Sequence, residues 1–157
     1  MNFDQRELRN CFSRFATGVA IASTNYNDQL FGLTINSFSS VSLEPPLSLF
    51  SIANKSLQLD IFKKCKNYAI SFLGVNQEIL ANNFAKSNNC NKWETSKYSL
   101  TKNNNPVFNN ILAYIELEHF KILEMGDHNI FIGQIVDLKI FDESEPLLYY
   151  QSKFCKL

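Results

Sequence analysis

The stretch GLTINSFSSVSLEPPLSLFSI, residues 32–52, decides how this chain folds. Its start belongs to a segment, residues 30–36, whose composition favours a β-strand, and its end is a second, apolar strand over residues 47–52. The Pro45-Pro46 pair cannot lie inside a central strand, because proline lacks the backbone N–H that a sheet needs. Residues 39–44 are therefore predicted to be a loop or an edge segment that leads into the second strand.

Upstream of this stretch the pattern predicts a helix and then the first strand of a hairpin. Asp4 and Glu7 form a capping-box pattern, and the apolar residues that follow recur on one helical face. Residues 18–23 favour a strand, and the polar residues 25–29 supply the turn that joins it to residues 30–36. The helical face consists of Leu8, Cys11, Phe12, Phe15 and Ala16.

Downstream, two more helices are predicted on either side of a strand over residues 68–73. Ser56 and Asn76 are the predicted N-caps of these helices. Residues 87–106 are rich in asparagine and poor in apolar side chains, so they are predicted to form a long surface loop. The predicted apolar faces are Leu57, Ile61 and Cys65 in the first helix, and Leu80 and Phe84 in the second.

The last part of the chain predicts a pair of long strands. Apolar residues alternate with period two over residues 113–123 and 129–141, and residues 125–127 supply the turn between them. This alternation places Glu116 on the outer face. A change of apolar phase within the first strand requires a β-bulge near His119.

Taken together, about six or seven strands and about three helices occur without regular βαβ alternation. This pattern favours a β-rich α+β fold, an antiparallel β-barrel with helical insertions, over a doubly wound sheet. At 157 residues the chain is expected to be a single domain, residues 1–157.

Composition and charge argue against several classes of partner. Fifteen basic and fifteen acidic side chains give a formal charge of zero, so neither a nucleic acid nor an anionic membrane is an expected partner. The start MNFDQREL lacks the apolar run of a signal peptide, and no stretch reaches the roughly 20 apolar residues of a membrane span, so a cytoplasmic location is expected. The four cysteines form no C-x-x-C pair, which predicts reduced thiols and no metal site.

Several catalytic motifs are missing from the sequence. The chain carries neither G-x-G-x-x-G nor a Walker-type loop, so a Rossmann dehydrogenase is excluded and any nucleotide must be held by other means. No serine lies in a G-x-S-x-G elbow, and His119 and His128 lack the H-E-x-x-H spacing. Hydrolase chemistry therefore has no support.

Three short segments are candidates for binding or catalysis, and each has a simpler interpretation. The polar groups of residues 34–42 could hydrogen-bond a planar heterocycle or a phosphate, although a solvated edge rich in Ser and Thr turns explains the same residues. Residues 54–56 form either an anion-binding helix N-terminus or an ordinary N-cap. His128 is either a catalytic residue or a solvated hairpin histidine.

Six segments, taken in order, follow the pattern of one known family. They are RFATGVAIAST, GLTINSFSSVSLEPPLSLFSI, NKSLQLDIF, YAISFLGVNQEILANNFA, GDHNIFIGQIVDL and PLLYYQSKF, and they cover nearly the entire chain. The blocks T-x-N-S-F-x-S-V-S-x-x-P-P and G-D-H-x-x-F-I-G are specific together, because they occur in the right order at the right separation. The chain thus resembles the flavin reductase family, short-chain NAD(P)H:flavin oxidoreductases that supply reduced flavin to two-component monooxygenases.

The resemblance implies an FMN-binding split β-barrel that forms a homodimer, with the flavin near the dimer interface. His128 is implied as the catalytic residue, near the nicotinamide, while Ser40, Lys55 and Ser56 would lie toward the flavin phosphate. The full set of implied cofactor-binding residues is Thr34, Ile35, Asn36, Ser37, Ser40, Ser51, Asn54, Lys55, Ser56, Phe84 and Ala85. Within the family the long loop is often basic and aromatic-rich, whereas residues 88–105 here are mostly asparagine with Lys92, Trp93, Lys97 and Lys102.

The implied activity is hydride transfer from NADH or NADPH to FMN or FAD, followed by delivery of reduced flavin to a partner oxygenase. Two alternatives are a flavin-binding split-barrel protein without reductase activity and a flavin-dependent oxidase of another small molecule. The homodimer is also favoured by aromatic residues beyond the evident needs of one small core. These are Phe38, Phe50, Phe131 and Tyr149.

Overall fold

The computed structural model describes residues 4–86, 91–141 and 144–157. This part of the chain contains α-helices, strands and one short 3-10 helix over Val75–Gln77. In chain order these are α1 (Gln5–Phe12), β1 (Thr17–Gly18), β2 (Ala20–Tyr26), β3 (Gln29–Ile35), β4 (Ser39–Leu43), β5 (Pro46–Ala53), α2 (Leu59–Lys64), β6 (Asn67–Phe72), α3 (Glu78–Ala85), β7 (Tyr98–Leu100), β8 (Pro106–Phe108), β9 (Ala113–Met125), β10 (His128–Ile140), β11 (Leu148–Tyr150) and β12 (Lys153–Cys155).

The main sheet has seven strands in the order β3-β2-β6-β9-β10-β5-β4, and every neighbouring pair is antiparallel. β1, β11 and β12 form a small sheet, and β7 pairs with β8. The predicted β-rich α+β fold with antiparallel strands is therefore confirmed. The two outermost strands of the large sheet, β3 and β4, are joined by residues 36–38. In this connection the Ser37 hydroxyl accepts the backbone N–H of Ser51 of β5 at 3.0 Å.

Aromatic side chains fill the interior of this sheet. Phe50 stacks on Phe131 with ring centroids 5.3 Å apart, and Tyr68 packs edge-on against Phe50 at 5.4 Å. Phe62 of α2 covers the cluster, 6.0 Å from Phe50. Phe50 and Phe131 are fully buried, so the core of one chain needs both rings, contrary to the expectation that they exceed it.

A second apolar cluster lies between the sheet and α3. Phe84 packs edge-on against Trp93 at 4.8 Å and against Phe108 at 4.9 Å. Trp93 also stacks on Phe108, with centroids 5.6 Å apart. Through this indole, the segment that begins at residue 91 is held against α3 and the sheet.

The prediction for α2 is wrong at its start and on its buried face. A turn precedes the helix, in which the N–H of Leu59 donates to the Ser56 carbonyl at 3.1 Å, so Gln58 rather than Ser56 occupies the N-cap. Of the predicted face only Cys65 is buried, whereas Leu57 and Ile61 are not. Leu59 and Phe62 of the helix are buried in their place.

The N-terminal helix begins as predicted and α3 does not. Asp4 Oδ1 accepts the Glu7 N–H at 2.8 Å and Glu7 Oε2 accepts the Asp4 N–H at 2.9 Å, which confirms the capping box. Asn76 lies inside the 3-10 helix, so it does not cap α3, which begins at Glu78. The interruption arises because the Gln77 side chain accepts the Gly74 N–H at 3.0 Å and closes a separate turn.

The asparagine-rich segment is tied to the sheet by a buried carboxylate. Glu116 of β9 is fully buried, so its predicted outward orientation is wrong. It accepts hydrogen bonds from Asn103 Nδ2 at 3.0 Å, from Asn105 Nδ2 at 2.7 Å and from the Thr101 hydroxyl. The predicted loop over residues 87–106 thus contains β7 and begins β8, and its residues 87–90 lie outside the described residues.

The predicted bulge is present next to His119. In the β9–β10 ladder, Lys121 pairs with Ile132 and His119 pairs with Gly133, so Phe120 is an extra residue without a partner. A bulge bends the strand and increases its twist. It therefore helps the long β9–β10 pair to curve around the aromatic core.

None of the helices in residues 4–86, 91–141 and 144–157 has the length and apolarity that a membrane-spanning helix requires. Within the same residues Cys11, Cys65 and Cys155 are free thiols, and Cys90 lies outside them.

Gly133→Ala is expected to lower the free energy of unfolding by about 1–3 kcal/mol through overpacking. A Cβ at Gly133 would overlap the Tyr68 hydroxyl and lie 2.9 Å from Leu117 Cβ, and the Tyr68 ring is fully buried. Urea unfolding of both proteins measures the difference. In a Tyr68→Phe background, which lacks the hydroxyl, the same glycine substitution should cost less; equal costs in the two backgrounds would contradict this explanation.

Candidate functional site

A cavity of about 290 Å³ opens between the end of the large sheet and the helices. One wall is β3 and the residues just after it, and the opposite wall is the end of β5 with the turn before α2. The end of α3, Lys92 and His128 complete the lining. A larger cavity of about 730 Å³ lies around Gly74 and Asn109, but none of the predicted site residues lines it.

The structure brings most of the predicted site residues to the smaller cavity. Ser40, Asn54 and Lys55 do not line it: Ser40 lies in the edge strand β4, and the other two lie in the turn after β5. The predicted residues that do line it are Thr34, Ile35, Asn36, Ser37, Ser51, Ser56, Phe84, Ala85 and His128.

The hydroxyls of Thr34 and Ser37 already bind within the protein. Thr34 Oγ1 donates to the Ala81 carbonyl of α3 at 2.6 Å, and the Ser37 hydroxyl accepts the Ser51 N–H. The first bond fixes α3 against β3, and the second fixes the residues just after β3 against β5. These side chains therefore build the two walls of the cavity, whereas Asn36 between them is exposed and retains its amide for a ligand.

Asn54 holds the turn that presents His128. Its backbone N–H donates to the Asp127 carbonyl at 2.8 Å, and its Nδ2 donates to the Gly126 carbonyl at 3.1 Å. Its Oδ1 accepts from Asn129 Nδ2 at 2.6 Å. The structure thus assigns this predicted cofactor-binding side chain a positioning role, because its hydrogen bonds fix the residues on both sides of His128.

The imidazole of His128 is oriented by its neighbour. His128 Nδ1 lies 2.7 Å from Asp127 Oδ1, and the ring is about half exposed at the rim of the cavity. Hydrogen bonding to His128 lowers the pKa of Asp127, so this carboxylate remains ionised beside the ring. Since Nδ1 is engaged, Nε2 is the ring nitrogen left to interact with a ligand.

Lys92 is a cavity residue that the sequence did not single out. Its side chain is only 7 % exposed, and Nζ donates to the Gly32 carbonyl at 2.9 Å. Nζ also lies 5.0 Å from the centroid of the Phe84 ring. Burial lowers the pKa of Lys92. The available signal in the sequence was Trp93, the only tryptophan, which anchors this otherwise polar loop.

Comparison with known proteins shows which family the chain is similar to. Residues 12–157 match the family described as "Flavin reductase like domain". A reductase component of a flavin-dependent trigonelline monooxygenase from Acinetobacter baylyi is 35% identical over 83% of this chain, and an NADH:FMN oxidoreductase from Rhodococcus qingshengii is 30% identical over 94%. The chain spans 42% of the first relative and 79% of the second.

A solved structure supports the same likeness. The NADH:FAD oxidoreductase SgcE6 of Streptomyces globisporus, in complex with NAD and FAD fragments, superimposes with a TM-score of 0.93 at 28% identity. The alignment covers 98% of this chain and 93% of that protein.

Asn54→Ala is expected to loosen the turn at residues 126–129 without unfolding the sheet. The substitution removes two hydrogen bonds, each worth about 0.5–1.5 kcal/mol, from a turn otherwise held by the Asn54 N–H. Amide hydrogen exchange of residues 126–129 should therefore accelerate, while exchange in β6 stays unchanged. Lys97→Ala, at an exposed position outside this turn, is the control; if both variants exchange alike, Asn54 does not hold this turn.

Proposed function

Because this chain belongs to the flavin reductase-like domain family, we propose that it transfers a hydride from NADH or NADPH to FMN or FAD. The observation that carries the proposal is the cavity, which gathers residues from β3, β5 and α3 and places His128 at its rim. Its volume of about 290 Å³ is at the small end for ligand sites, which suits a planar ring whose one face stays open.

The lining of the cavity suits a flavin. Ile52, Leu57 and Phe84 supply apolar surface for an aromatic ring, and Asn36 and Ser56 add polar groups. A bound flavin accepts the hydride from the reduced nicotinamide, and the protein aligns the two rings at about 3–3.5 Å. In this proposal the chain itself orients the two rings and excludes water from them, and it supplies no nucleophile.

His128 is proposed to orient the nicotinamide. Asp127 fixes Nδ1, which leaves Nε2 at the open rim to hydrogen-bond the carboxamide of the second substrate or to stabilise charge that develops on the flavin. A flavin carrier that lacks reductase activity would have no need for an imidazole held in this way. We therefore favour the reductase over the binding-module and oxidase alternatives.

We further propose the finer architecture of the family, a split β-barrel. The support is that the two outermost strands of the seven-stranded sheet, β3 and β4, are joined directly by residues 36–38. By analogy with the relative that is a reductase component, reduced flavin is proposed to leave for a partner oxygenase. We also propose a cytoplasmic location, because the pool of reduced nicotinamide nucleotides that the reaction consumes lies there.

A second copy of the chain is the proposed cover for two exposed apolar surfaces. The apolar residues at the end of α1 and just after it are uncovered, with Phe12 66 % and Phe15 78 % exposed. The apolar face at the end of β10, Val136, Leu138 and Ile140, is also exposed, with Ile140 at 76 %. Contiguous apolar surface of this kind marks protein interfaces. We infer a homodimer that buries these faces.

His128→Ala is expected to slow reduction of bound flavin by NADH about tenfold or more, a barrier difference of about 1.4 kcal/mol. Flavin affinity should change little, because the proposed contact is with the nicotinamide. Stopped-flow single turnovers at saturating flavin measure the rate, and fluorescence titration measures the affinity. Lys97→Ala, at an exposed lysine that does not line the cavity, serves as the control. A His128 variant within about twofold of the parent would remove this residue from the active site.

Leu138→Glu is expected to convert a dimeric protein to monomers, because a carboxylate cannot be buried in an apolar interface without a partner. Lys139→Glu, the adjacent residue on the opposite face of β10, introduces the same side chain and should leave the dimer intact. Light scattering gives the mass of each protein. A parent chain that is already monomeric while it binds flavin fully would contradict the dimer.

A further inference from the structure

All three arginines of the chain lie within one short segment near its start. They are Arg6, Arg9 and Arg14, and every other long cationic side chain in the sequence is a lysine. Lysine serves as well as arginine where a charge only meets solvent, whereas a guanidinium group is suited to carboxylates and phosphates because it donates two parallel hydrogen bonds. The confinement of arginine to this segment therefore points to an anion that binds there.

The three arginines line one surface cleft of about 560 Å³. The cleft lies between α1 and the turn that joins β11 to β12. It shares no lining residue with the proposed flavin cavity, so it is a separate feature of the surface. The rest of its lining is Glu7, Asn10, Ser13, Gln151 and Ser152.

Hydrogen bonds hold the two sides of this cleft together. The backbone N–H of Gln151 donates to the Ser13 carbonyl at 2.8 Å, and the Ser13 hydroxyl donates to the Asn10 carbonyl at 2.8 Å. Gln151 and Ser152 adopt positive φ angles of 49° and 62°, which closes a tight turn against the end of α1. The chain itself therefore fixes one wall of the cleft relative to the other.

The arginines have no anionic partner in the described part of the chain. Among residues 4–86, 91–141 and 144–157, no salt bridge involves an arginine. The acidic residue of the lining, Glu7, belongs to the capping box, in which its Oε2 accepts the Asp4 N–H at 2.9 Å. Three positive charges thus line the cleft against one carboxylate, which already binds the backbone of α1.

The helix dipole explains only part of this arrangement. Arg9 lies in the last turn of α1, where a cation is favourable, and Arg14 follows the helix. Arg6 lies in the first turn, where the same dipole disfavours a cation. Arg6 and Arg9 are also neighbours on one helical face, where like charges repel. An anion in the cleft would relieve both unfavourable interactions.

A phosphomonoester fits this lining better than a carboxylate does. Near neutral pH it carries a charge approaching −2 and three strong acceptor oxygens, so it has an oxygen for each of the three guanidinium groups. A carboxylate has one charge and two oxygens. The lining of the cleft contains no aromatic or aliphatic side chain, so the organic part of the ligand must lie outside it.

One further cavity lies between this cleft and the proposed flavin site. It has a volume of about 370 Å³, and Phe15 and Thr17, which follow Arg14 in the chain, line it together with Asn36. Asn36 also lines the proposed flavin cavity. Among the substrates of the proposed function, NADPH carries its phosphomonoester on the ribose remote from the reacting ring. The cleft is therefore on the side of the site where such a remote phosphate is a candidate ligand.

We propose that Arg6, Arg9 and Arg14 form a phosphate site outside the flavin cavity, which binds a phosphomonoester dianion. The phosphomonoester belongs either to NADPH, as its 2′-phosphate, or to a separate phosphorylated metabolite. Binding of the phosphate group does not depend on the proposed function. A role of the cleft in selecting NADPH over NADH does rest on that function.

Because the chain has only three arginines, every arginine Nε–H resonance of the protein reports on this cleft. Protein that carries isotope-labelled arginine is titrated with phenyl phosphate, and sodium chloride at equal ionic strength is the reference. The resonances should shift and saturate with phenyl phosphate and should not respond to the salt.

Variants then test whether the guanidinium groups bind the phosphate. Arg9→Gln should raise the dissociation constant for phenyl phosphate about tenfold, as expected for loss of hydrogen bonds to a charged group. Arg9→Lys should also raise it, though less, because lysine keeps the charge and loses the two parallel donors. Lys97→Gln, at an exposed lysine outside the cleft, is the matched control and should bind like the parent.

NADPH and NADH, which differ only in the 2′-phosphate, distinguish the two sources of the ligand. Arginine shifts with NADPH but not with NADH, and a weaker preference for NADPH in Arg9→Gln, would identify the nucleotide. Shifts with phenyl phosphate but with neither nucleotide would identify a separate phosphorylated ligand.

Three results would overturn the phosphate site. They are arginine resonances that no phosphomonoester shifts beyond the effect of salt, equal weakening by Lys97→Gln, and full affinity in Arg9→Lys. A parent protein that binds phenyl phosphate in this cleft but does not reduce flavin with NADH or NADPH would refute the proposed function and leave the phosphate site standing.

Discussion

The short connection of residues 36–38 between β3 and β4 is the constraint on which the site depends. β3 and β4 are the outermost strands of the sheet, with five strands between them, yet this connection joins them directly. It places the end of β3 beside β5, where the backbone N–H of Ser51 donates to the Ser37 hydroxyl. A sheet of seven antiparallel strands can curl this far because its strands twist and because the bulge at Phe120 bends the long β9–β10 pair. The cavity lies between the end of β3 and the end of β5, so strands of the sheet form two of its walls.

The asparagine-rich connection contributes to the same site from the outside. Glu116 is buried, and within the described part of the chain it forms no salt bridge. A buried carboxylate is tolerable only when its oxygens are hydrogen-bonded. Asn103, Asn105 and Thr101 supply those bonds, which fixes the end of the connection on β9. Trp93 fixes its beginning on α3 and the sheet. A segment that looks like a solvated loop by composition is thus held at two points, and Lys92 lies beside the first of them.

Side chains around the cavity divide into those that build it and those left to meet a ligand. The Thr34 hydroxyl donates to α3, and the Asn54 amide forms hydrogen bonds with the β9–β10 turn. Each residue therefore affects a ligand indirectly, by fixing the position of α3 or of this turn. Asn36, His128 and Lys92 keep polar groups that the described residues do not fully use. This division explains why polar residues are so dense after β3: a site between two sheet ends needs hydrogen bonds for its walls as well as for its contents.

Local patterns in the sequence determined the elements whose signals are short-range. The capping box of Asp4 and Glu7 follows from residue types at a fixed spacing, and it is present. The strands predicted over residues 30–36 and 47–52 and the bulge beside His119 follow from composition and side-chain periodicity, and they are present as well. The likeness to a family grouped the residues of β3, β5 and α3 into one site. Only the tertiary structure decided that Glu116 is buried, that Leu59 rather than Leu57 faces the core, and that Lys92 rather than Lys55 lines the cavity. Each of these depends on which distant strand or helix packs against the residue, and the spacing of neighbouring residues carries no information about that partner.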